Sequence, residues 1–354
     1  MTDIYFYFCF SFFCNFNNKR RNMSIIKTKI FVILFSVVCF IGTPVFAAKM
    51  VKQYRVYNSA QQTTHPFWLV VYDGMHKANE KYGFNIITGG PPYPNIVEQV
   101  QLLDAAIASG EYDAFIIAAC EPPYLEKSIN RAVDDGKIVV LTCDDVPNSK
   151  RHATIRTGDF EAGQKAGELY VQVSGGKGSV AIQTGDLTQL SLNERINGFK
   201  DYIKKNSQVK VEALDTTGVD STVKKGPEVL AARLIASPNV DGLFIPHGDS
   251  GSTYKTTYVD FKDRMDKMTV VGFDDTAQAL DGIREGFIDG VVVQSQYSWG
   301  YGSVYQLHRI LQAGLPPTAE ITYCPTVKIT KDNVDTIAVA TRDPQYWIDF
   351  ANKE

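Results

Sequence analysis

Asp274 and Gln294 each stand just beyond a short apolar run, VV at 270–271 and VVV at 291–293. An ionised carboxylate accepts hydrogen bonds, and an amide both accepts and donates. Comparable side chains follow other apolar runs: His65, Phe67 and Trp68 early in the chain, Glu121 after FIIAAC, Asp144 and Asp145 after IVVLTC, and Asp249 after FIP. Arg195 adds a guanidinium in a helical stretch of the second half. Two aromatic faces, several carboxylates, an arginine and an amide suit a small polyhydroxylated molecule. Rings take the C–H surface of such a molecule, and a guanidinium bridges two hydroxyls. Each hydrogen bond to a charged group is worth about 1.5–3 kcal/mol, so a handful suffices to hold a small ligand. Every member also has a plainer role open to it. Phe67 or Trp68 could be core, Asp144 or Asp145 a loop turn, Arg195 the partner of Glu194 or Asp201, and Asp274 a helix cap.

Patterns that resemble catalytic motifs fail on context. Gly248-Asp249-Ser250-Gly251 echoes a nucleophile loop, but it follows a parallel-strand pattern, opens a helix and has no histidine tied to it. Gly175-Gly176-Lys177-Gly178-Ser179 precedes a strand, whereas a phosphate loop lies between strand and helix. The five histidines are scattered, and no His-Glu-x-x-His pattern for zinc exists. No nucleophile–base pair emerges either. The expectation is binding without catalysis, with no metal and no cofactor.

The elements that must position these residues alternate along the chain. Strand patterns are expected at 55–57, 84–88, 114–119, 138–143, 180–183, 209–214, 242–246, 270–271, 291–293 and 326–330. Helical patterns lie between them, beginning at Pro66, which suits a first turn. Strand, helix, strand within 269–294 is a βαβ unit whose strands are parallel. Thr276 is the expected N-cap of its helix and Gly286 the stop. Near-continuous apolar strands fit a parallel sheet covered on both faces, and in such sheets ligands bind beyond the carboxyl ends of the strands. About ten strands are too many for one sheet. The expected fold class is therefore α/β, with two doubly wound parallel-sheet lobes.

The chain has 354 residues and a net charge of −3 with both signs interspersed, so no basic stripe invites nucleic acid. Lys27 and Lys29 precede an apolar run from Ile30 to Ile41 and a small-residue site at Ala47 and Ala48. Residues 23–47 read as a signal peptide, because the run is short of the roughly 20 apolar residues of a membrane span. Met23 is the better start, and residues 1–22 read as an upstream extension. The expected location is periplasmic and the expected state a monomer. Cys120, Cys143 and Cys324 remain in the mature chain. Cys120 and Cys143 each end an apolar strand pattern and could be neighbours, expected as two buried thiols with a disulfide the alternative.

Over about 270 residues the mature chain resembles the type I periplasmic binding proteins of the ribose and galactose group. His65-Pro66-Phe67-Trp68 is similar to their Asn-Pro-Phe-Phe segment, and Asp144 matches a ligand Asp after strand four. Arg195 in NERINGF, Asp274 in VVGFDDT and Gln294 in VVVQ match three more ligand positions. Asp145 stands where ribose binders carry Arg, Gly248 where they carry Asn, and His65 in place of Asn. GGPPYPN, with FWLVVYDGM before it, resembles instead the periplasmic sensor partners that bind trimethylamine N-oxide in an aromatic cage. The resemblance implies lobe one at 50–157 plus 296–324 and lobe two at 158–295 plus 325–354. A hinge near Gly158, Ser295 and Pro325 would join them. It also implies a monosaccharide or polyol delivered to an ABC permease. The alternative it leaves is an amine oxide, autoinducer or sugar signal read by a histidine kinase or chemoreceptor.

Overall fold

The computed structural model describes residues 52–185, 187–217 and 222–340. The expected extension and signal peptide lie outside the described residues. The chain begins with β1 (Arg55–Ser59), α1 (Pro66–Tyr82), β2 (Asn85–Gly89), α2 (Ile96–Ala108), β3 (Ala114–Ala118), α3 (Pro122–Asp134), β4 (Ile138–Cys143) and β5 (Ala153–Thr157). It continues with α4 (Asp159–Ser174), β6 (Ser179–Thr184), α5 (Leu190–Asn206), β7 (Lys210–Thr216), α6 (Thr222–Ala236), β8 (Gly242–Phe244) and α7 (Ser250–Met265). Next come β9 (Thr269–Phe273), α8 (Ala277–Glu285), β10 (Gly290–Gln294) and α9 (Gln296–Leu307), which runs into a π-helical turn at His308–Gln312. The described chain ends with β11 (Ile321–Cys324), β12 (Thr326–Thr330) and α10 (Val334–Ala340).

Two six-stranded sheets result, ordered β11-β5-β4-β3-β1-β2 and β12-β10-β9-β8-β6-β7. The chain passes between them at Gly158, Ser295 and Pro325. Among the described strands β12 alone runs antiparallel, against β10. The reason is connectivity: β11 runs parallel to β5 and a single residue separates it from β12. The chain therefore leaves the first sheet heading straight into the second, against the direction of its neighbours there.

Alternation along each strand fills both faces of each sheet. In β3, Ile116 packs with Trp68, Met75 and Trp299 on one face, while Phe115 and Ile117 pack with Leu103 and Leu125 on the other. β9 divides likewise, Val270 to one core and Val271 to the other. Each such side chain contributes about 1.5–3 kcal/mol on burial, so sandwiching each sheet between helices dominates the fold. Gly74 and Gly300 let α1 and α9 touch backbone to backbone, since a Cβ at either would collide with the other helix. The βαβ unit forms as expected. β9 and β10 are parallel, Thr276 Oγ1 accepts the Ala279 N–H at 3.4 Å, and Gly286 closes α8 at φ 90°.

Two strands carry no clear signal in the sequence. β5 (ATIRT) is fully buried despite its arginine, because carboxylates surround the guanidinium. β11 (ITYC) pairs only at the sheet edge, where Tyr323 stays exposed.

Candidate functional site

In each sheet the strand order reverses beside the first strand, between β1 and β3 and between β6 and β8. Such switch points open a crevice at the carboxyl ends. Here the two crevices face each other, and the side chains they carry meet.

Lobe two supplies the more self-contained half. Arg195, on α5, donates from Nη1 to the Pro246 carbonyl at 2.9 Å and from Nη2 to Gln294 Oε1 at 2.6 Å. Its Nε donates to Asp159 Oδ1 at 2.8 Å, and the guanidinium lies 4.7 Å over the Phe273 ring. Gln294 in turn donates from Nε2 to Asp274 Oδ1 at 3.0 Å. Asp274 has φ 64°, a left-handed backbone that Asp tolerates better than most residues. Gly248 faces it closely enough that a Cβ would lie 3.1 Å from Asp274 Oδ2. Burial pushes the Asp274 carboxyl up to about 6, against the opposing pull of Arg195 and Gln294.

Lobe one reaches across. Asp144, fully buried, accepts from Arg156 Nη2 at 3.3 Å and from the Ser191 N–H of α5 at 3.4 Å. Burial and then the charge of Asp159 raise it to about 7, although Arg156 and Arg195 work the other way. Arg156 Nη2 also donates to Asp159 at 2.9 Å and to Glu194 at 2.5 Å, while its Nε is buried without a hydrogen-bond partner. At the rim, His65 caps α1, its Nδ1 accepting the Phe67 N–H at 3.2 Å. Its Nε2 lies 3.4 Å from Asp249 Oδ1 in the opposite lobe. His247 Nδ1 is 3.7 Å from the same carboxylate. Burial tends to raise Asp249, but the His65 hydrogen bond and the two imidazoles outweigh it and hold the group below its ordinary range. A cleft of about 950 Å³ adjoins this lattice, lined among others by His65, Phe67, Asp249, Asp274 and Tyr297, a size suited to a small ligand.

Of the residues expected at the ligand, the structure brings together His65, Phe67, Asp144, Arg195, Asp249, Asp274 and Gln294. Trp68 goes elsewhere. It is 4% exposed in the lobe-one core, edge-on to Phe67, with its indole N–H on Gln61 at 3.1 Å. Asp145 turns back into its own lobe, accepting from Thr154 Oγ1 at 2.6 Å and Arg151 Nη2 at 2.8 Å. Glu121 takes the half-buried N-cap position of α3 without a side-chain cap bond. Two members, Arg156 and Asp159, lacked a sequence signal, whereas His247, directly after FIP, carried the same strand-end signal as Asp249. A charged residue inside β-branched ATIRT, directly before the Gly158 crossing, was the one available hint.

A family model described as "Periplasmic binding protein domain" matches residues 56–315. The D-allose-binding periplasmic protein of Escherichia coli is 24% identical over 242 residues, covering 66% of this chain and 76% of that protein. Among solved structures, GanP, a glucose-galactose binding protein from Geobacillus stearothermophilus, is 26% identical with a TM-score of 0.74. That match covers 80% of this chain and 99% of the other. A solute-binding protein of an ABC transporter from Burkholderia graminis, solved with D-arabinose, is 28% identical with a TM-score of 0.72, over 80% and 96%.

Proposed function

We infer the function from the premise that this chain belongs to the periplasmic binding protein family, whose model spans residues 56–315. It is an extracytoplasmic solute-binding protein that captures a monosaccharide or related polyol between its lobes and presents it to an ABC permease. The observation that carries this reading is the interlobe lattice. Asp144 and Arg156 on one side engage Ser191, Asp159 and Glu194 on the other, beside a cleft edged by Phe67 and Asp274. Carboxylates accept from hydroxyls, guanidinium groups donate to ring and hydroxyl oxygens, and an aromatic face covers the C–H surface. A guest that contacts both lobes selects the closed form by its differential affinity, and binding alone is enough for that.

D-allose, D-galactose and D-arabinose are the first probes, chosen from what the relatives bind. In a thermal-shift screen a matching sugar raises the melting temperature by several degrees, since a ligand at 1,000 times its Kd adds about 4.1 kcal/mol. Asp274→Ala lowers that sugar's affinity at least about tenfold. A broad panel of sugars and polyols that leaves the melting temperature unmoved would sink this reading.

A further inference from the structure

Behind Asp144 lies a pair of residues that the binding reading does not use. Cys120 follows β3 and Cys143 ends β4, neighbouring parallel strands with Ala118 opposite Thr142 and the Ala119 N–H donating to the Thr142 carbonyl at 2.9 Å. Adjacent strands lie about 4.8 Å apart, within the separation that a disulfide spans. Both side chains point into the same core of lobe one. The structure holds them as thiols, with Sγ atoms 2.7 Å apart. Cys143 has φ 77°, a left-handed backbone rare for cysteine, and the next residue is Asp144.

We propose that Cys120 and Cys143 are a disulfide site, closed while the chain folds outside the cytoplasm, that ties the β3 and β4 ends presenting Glu121 and Asp144. The compartment is oxidising, so disulfides form and persist there. The step is thiol–disulfide exchange with a protein or low-molecular-weight disulfide. One cysteine thiolate attacks the oxidant and expels one of its thiols. The second cysteine then attacks the mixed disulfide and expels the other. Two protons and two electrons leave the chain, one S–S bond forms in it, and the S–S bond of the oxidant breaks. In the folded protein both thiols are buried, 5% and 9% exposed. Burial also pushes the Cys120 thiol well up, so few thiolates are available for attack. The bond therefore closes before the core does.

The test uses the full chain, unfolded and refolded in oxidised and reduced glutathione, and beside it refolded with dithiothreitol. Peptide mapping after alkylation should find the Cys120 and Cys143 peptides joined in the first sample and both alkylated in the second. Glutathione disulfide added to the folded reduced protein should leave both thiols unchanged. Joining should raise the melting temperature by roughly 5 °C, an increment that the Cys120→Ser/Cys143→Ser double variant lacks in either buffer. Full alkylation of both sites after oxidative refolding overturns the proposal, as does linkage of either to Cys324. A joined pair that melts no higher than the reduced one overturns its tying role. None of these readouts involves a sugar, so they stand or fall apart from the binding function.

Discussion

The two halves of the site are built differently. In lobe two, Arg195 is held by Pro246, Gln294 and Asp159, and Gln294 by Asp274, all within the same lobe. In lobe one, Arg156 finds two of its three carboxylates across the cleft, Asp144 takes the Ser191 N–H from there, and His65 meets Asp249 there. Separating the lobes would leave the Arg195 lattice whole and strip Arg156 of Asp159 and Glu194. Lobe two is thus a preformed socket, and lobe one is completed by closure. Preorganised groups lose little freedom on binding, which favours affinity. Groups satisfied only in the closed form make closure itself favourable.

Removing the centre of the socket should have the largest effect. Arg195→Ala leaves Asp159 buried without that partner, and breaking a buried ion pair costs about 3–5 kcal/mol. Sugar affinity should fall at least about tenfold as well, with urea melts and calorimetric titration reading the two. Arg156→Ala should separate the quantities. Affinity falls about tenfold, but stability by only about 1–2 kcal/mol, because opening the lobes lets water reach Glu194 and Asp144. Equal stability losses in the two variants would erase the distinction between socket and closure.

Titration sharpens the contrast next. Asp144 is pushed up to about 7 and Asp274 to about 6, so the folded chain keeps protons there that an unfolded chain has released. Their contribution to stability is complete below about pH 4 and is lost as pH rises through 6 and 7. Asp249 has the opposite sign: its lowered pKa adds stability above the ordinary carboxylate range, which disappears in acid. Asp144→Asn should therefore flatten the decline in urea midpoint between about pH 4.5 and 7.5. A decline as steep as in the unmodified chain would place the titrating group elsewhere. The smallest effect belongs to the rim. His65→Asn keeps a capping side chain for α1 but gives up the Asp249 contact, which is partly exposed. It should cost less than about 1 kcal/mol, and a tenfold loss of affinity would mean that His65 touches the ligand.

The sequence carried most of the site because polar residues just past apolar runs fall where parallel strands end, and that edge faces the crevice whatever the neighbours are. Asp144, Asp274 and Gln294 were legible on that ground, and Arg195 by its resemblance to a known motif. Phe67 and Trp68, in the first turn of one helix, could not be told apart, because both rings pack against Trp299, more than 200 residues later, and only that packing leaves Phe67 at the cleft and buries Trp68 in the core. Asp145 was ambiguous for the same kind of reason: Arg151 and Thr154 draw it inward only once the loop after β4 has folded back.

Local pattern and chain order alone determined the α/β alternation, the two lobes and the strand-end positions, since burial of apolar runs and parallel connection leave few alternatives. Tertiary structure decided which carboxylates share a guanidinium. A charge can enter a strand such as β5 only where opposite charges from α4 and α5 are waiting, and that meeting depends on how two separately folded sheets come face to face.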